Sequence, residues 1–230
     1  MAEMIKQLEK RKILTETHDC QITDLGLIDY QKAYDFQKKC VMEVISGAPQ
    51  RIILCEHPAV ITFGRLAQKE NLLIPAEELK KRNIQSFHID RGGDITLHAP
   101  GQLIVYPILN LNNYGRDLKA YLHKLEQVAI DFLKGFDIVA NRIFGKTGVY
   151  VDGRKIVSMG IGVKKWVSFH GLGINVNTDL SLFSLMRPCG LDVKMTSVSQ
   201  LLHQSVLMSD AQQKWLEVFA QHFQLEYNDE

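Results

Sequence analysis

Residues able to do chemistry concentrate between Gly153 and Leu191, in GRKIVSMGIGVKKWVSFHGLGINVNTDLSLFSLMRPCGL. Cys189 stands between Pro188 and Gly190, which fix a tight backbone and leave little bulk around the sulfur, a setting that suits a nucleophile. Only the thiolate attacks a carbonyl, and a free cysteine titrates near about 8.5, so a reactive thiol needs a cationic or hydrogen-bonding neighbour. Within the stretch those neighbours are Lys155, His170 and Arg187. Lys155 heads the apolar run IVSMGIGV, where a strand would carry its stem into the core and its amine to a pocket. Lysines in such surroundings take up and return protons near neutral pH. A lone cysteine also reads as a small buried hydrophobe, and spacing by itself does not separate the two readings.

The elements that would position these residues are β-type. Asp152-Gly153 is a two-residue hairpin signal and Lys164-Lys165 falls at the next turn. The strands RKIVSMGIGV and KWVSFHGLGINV would then run antiparallel, gathering Lys155, Ser158 to Gly160 and Gly171 to Gly173. Upstream, RGGDITLHAPGQLIVYPILNL opens on glycines that allow a tight turn and close approach to a ligand, and it sets His98 before a Pro-Gly turn and a strand. The RGG triplet occurs once, between strands, which argues against an RNA-binding repeat. His98 reads either as a histidine bonded to nearby backbone or as a site residue.

Around these lie strands at Arg51 to Pro58 and Ala59 to Arg65, joined at the proline, and another at Ser86 to Asp90. Cys40 and Cys55 read as packing residues, while Glu56 and His57 stay ambiguous. Helical spacing predicts a helix from Asp29 to Ile45 on Tyr30, Ala33, Phe36, Cys40, Val41 and Val44. A short helix follows Pro75, and a longer one with Asp117 as N-cap runs to Gly135 and should pack across the sheet. LSLFSLM reads as a short helical segment, and Ser209 with Gln212 as a capping box for the last helix.

Composition narrows the function classes. The 230 residues suit one compact domain, which we divide into an N-terminal arm at 1–20 and a single catalytic domain at 21–230. Net charge is +1, leaving no electrostatic case for nucleic acid or a membrane surface. Cys20, Cys40, Cys55 and Cys189 lack CxxC spacing, against a zinc site or disulfide framework and for a reducing compartment. No apolar run approaches 18 residues, and MAEMIKQLEKRKI mixes acids and bases unlike a secretory signal, so the expected location is the cytoplasm. MGIG and GLG lack a full GxGxxG and its helix, no P-loop is present, and the histidines show no HExxH spacing. We expect no cofactor, no nucleotide and no metal.

Four blocks, RGGDITLHAPGQLIVYPILNL, GRKIVSMGI, HGLGINVNTDL and RPCG, resemble in order and separation the octanoyltransferases that make protein-bound lipoate, also called lipoate-protein ligase B. The likeness spans roughly residues 28 to 200. It implies an α/β fold, a mixed β-sheet with flanking helices, of the kind shared by biotin and lipoate protein ligases. It also implies transfer of an octanoyl group from octanoyl-acyl carrier protein to a lysine of lipoyl domains, those of 2-oxoacid dehydrogenase complexes and the glycine cleavage H protein, without ATP. On this resemblance Cys189 is the acyl-enzyme cysteine and Lys155 its acid/base partner. The substrate-binding residues become Arg91, Gly92, Gly93, Asp94, Ile95, Thr96, Leu97, His98, Ser158, Met159, Gly160, Gly171, Leu172 and Gly173. Leu97 stands where tyrosine is frequent in the family, Ala99 where glycine is, and Gly173 where alanine is. We place all three near the pocket, which leaves acyl-chain preference open. Two other readings remain: an ATP-dependent lipoate or biotin ligase that needs no Cys189, and a silent homologue that only binds acyl carrier protein or lipoyl domains.

Overall fold

Eleven strands and five helices were found in the computed structural model, which describes residues 17–187 and 193–228. The strands are β1 (His18–Leu27), β2 (Gln50–Glu56), β3 (Val60–Phe63), β4 (Gln85–His88), β5 (Ile95–His98) and β6 (Gln102–Ile108), then β7 (Asn141–Ile143), β8 (Lys146–Val151), β9 (Arg154–Lys164), β10 (Val167–Asn175) and β11 (Leu225–Asn228). The helices are α1 (Tyr30–Ile45), α2 (Ala76–Lys81), α3 (Leu118–Lys134), α4 (Val198–Leu202) and α5 (Met208–Phe223). Eight strands form one mixed sheet in the order β11-β1-β2-β6-β10-β9-β8-β7, and β4-β3-β5 form a small second sheet. Within the large sheet β1 runs parallel to β2 and β11, and the remaining pairs are antiparallel.

The large sheet is covered on both faces, so its central strands lack a polar side. Every residue of β6 and of β10 is buried. Along β2, Ile52 and Leu54 join the core formed by α3 and α5, with Leu125, Phe132, Trp215 and Phe219. The alternate residues Ile53 and Cys55 meet α1 through Ala33, Cys40 and Val44 on the opposite face. The expected helices at 29–45 and 117–135 are thus present, each capped by an aspartate whose carboxylate accepts two backbone N–H groups. The expected strands on either side of Pro58 are present too, but they belong to different sheets. The turn between them carries the chain from the large sheet to the small one.

Other expectations need correction. β1 begins at His18, so His18, Asp19 and Cys20 are strand residues rather than arm, while residues 1–16 lie outside the described part. The capping box at Ser209 does not form. Helix α5 starts at Met208 with Leu207 as its N-cap and no side-chain cap, which sets Ser209 inside the first turn. Ser209 Oγ turns to Asp210, and Gln212 reaches across to Asp24 on β1 at 3.0 Å. The β9–β10 turn falls at Lys165 and Trp166, both with positive φ, one residue later than Lys164-Lys165.

Two caps that look alike in sequence should therefore differ in urea unfolding. Asp117→Ala is expected to lose about 1 kcal/mol, the usual worth of an N-cap. Ser209→Ala should stay within about 0.5 kcal/mol of the parent, as for surface positions without a special role. Equal losses would contradict the assigned helix start.

Candidate functional site

Antiparallel pairing of β9 with β10 sets Gly160 opposite Gly171 and Ser158 opposite Gly173. The glycines matter because other backbone comes very close. A Cβ on Gly171 would lie 2.1 Å from the Val105 carbonyl oxygen, and one on Gly160 would lie 2.8 Å from that of Gly92. The loop Arg91–Gly93 can therefore press onto β9, and the Gly92 N–H donates to Ile161 O at 2.8 Å. Between this loop, β5, the start of α1 and the β9–β10 floor lies a small cavity.

Ten of the residues anticipated from the sequence line the cavity: Arg91, Gly93, Thr96, His98, Ser158, Met159, Gly160, Gly171, Leu172 and Gly173. Gly92, Asp94, Ile95 and Leu97 do not. The period of a strand explains the last two, because Thr96 and His98 face the cavity while Ile95 and Leu97 point into the small sheet's apolar cluster. Asp94 is a loop clamp, accepting from Gln68 N, Ile95 N and the Asn71 amide. Ala99 packs with Leu97 in the same cluster, so of the three departures placed near the pocket only Gly173 reaches it.

Tyr30, Tyr106 and His170 also line the cavity and were not among the anticipated binding residues. Tyr30 was read as part of a helix stripe and Tyr106 as a strand residue. His170 was noted only as a neighbour for Cys189. It takes up φ +54, a left-handed conformation that costs a non-glycine residue, and this carries its ring toward Asp90.

Hydrogen bonds fix the protonation of these rings. Gln102 donates its amide to Asn175 Oδ1 at 2.8 Å, so its Oε1 accepts from His98 Nδ1 at 2.8 Å and leaves His98 Nε2 as a lone-pair acceptor. Burial, with positive charge and other rings nearby, pushes His98 down to about 3. His57 donates from Nδ1 to Ile28 O and accepts at Nε2 from the Tyr106 hydroxyl at 2.8 Å, standing behind the cavity wall. Burial lowers its pKa as well. His170 Nε2 donates to Asp90 Oδ1 at 2.8 Å, and Tyr34 donates to the same oxygen. The His170 bond leads in holding Asp90 at about 2.

Lys155 is 2% exposed and lies on β9, three residues before Ser158, without lining the cavity. Its main chain bonds on both sides to the segment that begins at residue 193: its N–H donates to Lys194 O, and its carbonyl accepts from Thr196 N. Arg187 N, at the end of the preceding described stretch, donates to Asn71 O. Cys189 itself lies outside the described residues. The other three thiols are buried and free, with Cys20 pushed up to about 12 by burial and Cys40 and Cys55 also raised.

A family model for the lipoyl protein ligase A/B catalytic domain matches residues 29–220. The chain belongs to that family. A Bacteroides fragilis protein named octanoyltransferase is 41% identical over 204 residues, covering 84% of this chain and 92% of that one. Among solved structures, a putative lipoate protein ligase from T. acidophilum with bound lipoic acid superposes with a TM-score of 0.74 at 14% identity, covering 92% of this chain and 89% of its own. A biotin protein ligase from Aquifex aeolicus, in complex with biotin and ATP, gives 0.55 at 13% identity, covering 89% of this chain and 70% of its own. The fold is therefore the mixed α/β sheet shared by lipoate and biotin ligases. No described helix is long and apolar enough to cross a membrane.

Two measurements follow from the buried groups. Folded His98 stays neutral down to about pH 3, whereas in the unfolded chain it titrates near 6.5. The unfolded state thus binds the extra proton, so stability is complete above pH 6.5 and falls as pH drops toward 3. Urea unfolding between pH 7 and 4 should show a shallower decline for His98→Gln than for the parent; parallel curves would contradict the assignment. In native protein at pH 8, an alkylating reagent should leave Cys20, Cys40 and Cys55 unmodified until denaturant is added, as read by peptide mapping.

Proposed function

We propose that the protein is an octanoyltransferase of lipoate biosynthesis, moving an octanoyl group from octanoyl-acyl carrier protein to a lysine of a lipoyl domain through a thioester on Cys189. The carrying observation is the cavity, floored by glycine backbone and lined by Met159 and Leu172 with a histidine held neutral, on a chain 41% identical to a named octanoyltransferase. Burying the seven apolar carbons of an octanoyl chain would contribute roughly 6 kcal/mol at about 0.8 per methylene. Lys155 supports the reading through its backbone bonds to Lys194 and Thr196, which hold that described segment, a few residues after Cys189 in the chain, against β9.

The chemistry needs no outside energy. Lys155 takes the Cys189 proton, and the thiolate attacks the donor's carbonyl carbon. The carbon–sulfur bond to phosphopantetheine breaks, and the departing thiolate takes the proton back from Lys155. Thiol–thioester exchange is close to isoenergetic, so the enzyme thioester keeps its reactivity toward an amine. The neutral lysine amine of the lipoyl domain then attacks, its surplus proton passes to Lys155, and Cys189 leaves as the thiolate. The acceptors would be lipoyl domains of 2-oxoacid dehydrogenase complexes and the glycine cleavage H protein, and the location the cytoplasm, in keeping with cysteines that show no CxxC or disulfide-framework spacing.

The test is transfer to a lipoyl domain from octanoyl-loaded carrier without ATP. Cys189→Ala and Lys155→Ala should each lose at least about 1,000-fold in rate, as expected when a residue of a coupled nucleophile–base pair is removed. Wild-type rates for Cys189→Ala would refute the covalent route.

A further inference from the structure

The amine of Lys155 runs beneath β8. A Cβ built on Gly148 would lie 2.7 Å from Lys155 Cε and 3.3 Å from Nζ, and Gly148 holds φ +116, where a side chain would be strained. The β8–β9 ladder slips register beside it: Val149 faces Val157, yet Tyr150 faces Lys155. The backbone of Gly148 is thus the surface against which the amine rests, and the ladder does not fix that surface by itself.

The group that does so comes from α3. Glu126 is 6% exposed, and its Oε1 accepts the Gly148 N–H at 3.0 Å. Its Oε2 accepts from Arg142 Nε at 3.0 Å, and His123 Nδ1 stands 3.4 Å from the same oxygen. Arg142 is held in turn by the His123 carbonyl and by Gln127. A carboxylate buried this far keeps its place because both oxygens are satisfied by good donors.

We propose that Glu126 is a positioning residue for Lys155: by holding the Gly148 N–H it fixes the β8 bulge that packs on the lysine's Cε and Nζ, and so fixes where the amine stands. The inference rests on the reading of Lys155 as the proton carrier. Glu126 does not line the cavity. Displacing a reacting group by about 1 Å can cost on the order of 100-fold in rate, so the loss should appear in kcat.

The experiment is steady-state transfer from octanoyl-loaded carrier to a lipoyl domain, with thermal unfolding of each variant in parallel. Glu126→Ala should lower kcat about tenfold or more while KM for the loaded carrier changes by less than about twofold, and the pH dependence of acylation should shift. Glu126→Gln, which keeps an oxygen for the Gly148 N–H, should recover part of the loss. Glu126→Ala combined with Lys155→Ala should be no slower than Lys155→Ala alone, the mark of action through the lysine. A folded Glu126→Ala with parental kcat and pH profile overturns the proposal, as does an additive loss in the double variant. Should Glu126→Ala not fold, Arg142→Ala loosens the same carboxylate, and unchanged kcat there is equally fatal. Parental activity in Lys155→Ala would instead show that the reading of the lysine itself is wrong, whatever Glu126 does.

Discussion

Pairing of β9 with β10 is the constraint on which the remaining structure depends. It places Gly160 across from Gly171, and that pair of bare positions lets the Arg91–Gly93 loop seat on one strand while the Val105 carbonyl approaches the other. A one-residue slip would exchange the two faces and set Met159 and Leu172 against those approaching carbonyls. The type of turn enforces the register, since Lys165 and Trp166 both take positive φ, as a tight two-residue hairpin demands. Lys155 owes its place to the same strand, ten residues from that turn.

Around this frame the cavity combines apolar room with side chains whose hydrogen bonds are already committed. Arg91 places its guanidinium on Thr62 and Gly92, and Gln102 bridges His98 to Asn175. Buried polar groups secured in this way add shape without mobile charge, because an unpaired one would cost about 1–3 kcal/mol. His98 is the consequence most easily measured: burial keeps the ring neutral across the physiological range.

Much of this arrangement was legible before the fold. Asp29 and Asp117 announced their helices, and Asp152-Gly153 announced the hairpin that brings the lysine and the glycines together. Motif reading failed where strand period decides orientation: a run of consecutive residues was taken as one wall, whereas Ile95 and Leu97 face the small sheet. β1 was missed because HDCQITDLGL shows no clean alternation, and its partners β2 and β11 are far off in the chain. Tyr30 and Tyr106 were hidden for a related reason, since a residue that serves both packing and a cavity carries no separate signature. The Ser209 capping pattern was present, but the helix begins before it.

The account turns on whether Cys189 carries the acyl group. Purified protein should be incubated with octanoyl-loaded acyl carrier protein, without ATP and without acceptor, and its intact mass recorded before the modified peptide is mapped. The account predicts a gain of one octanoyl group on Cys189 that hydroxylamine removes. A folded protein that binds the donor and gains no adduct, or gains it on another residue, would contradict it.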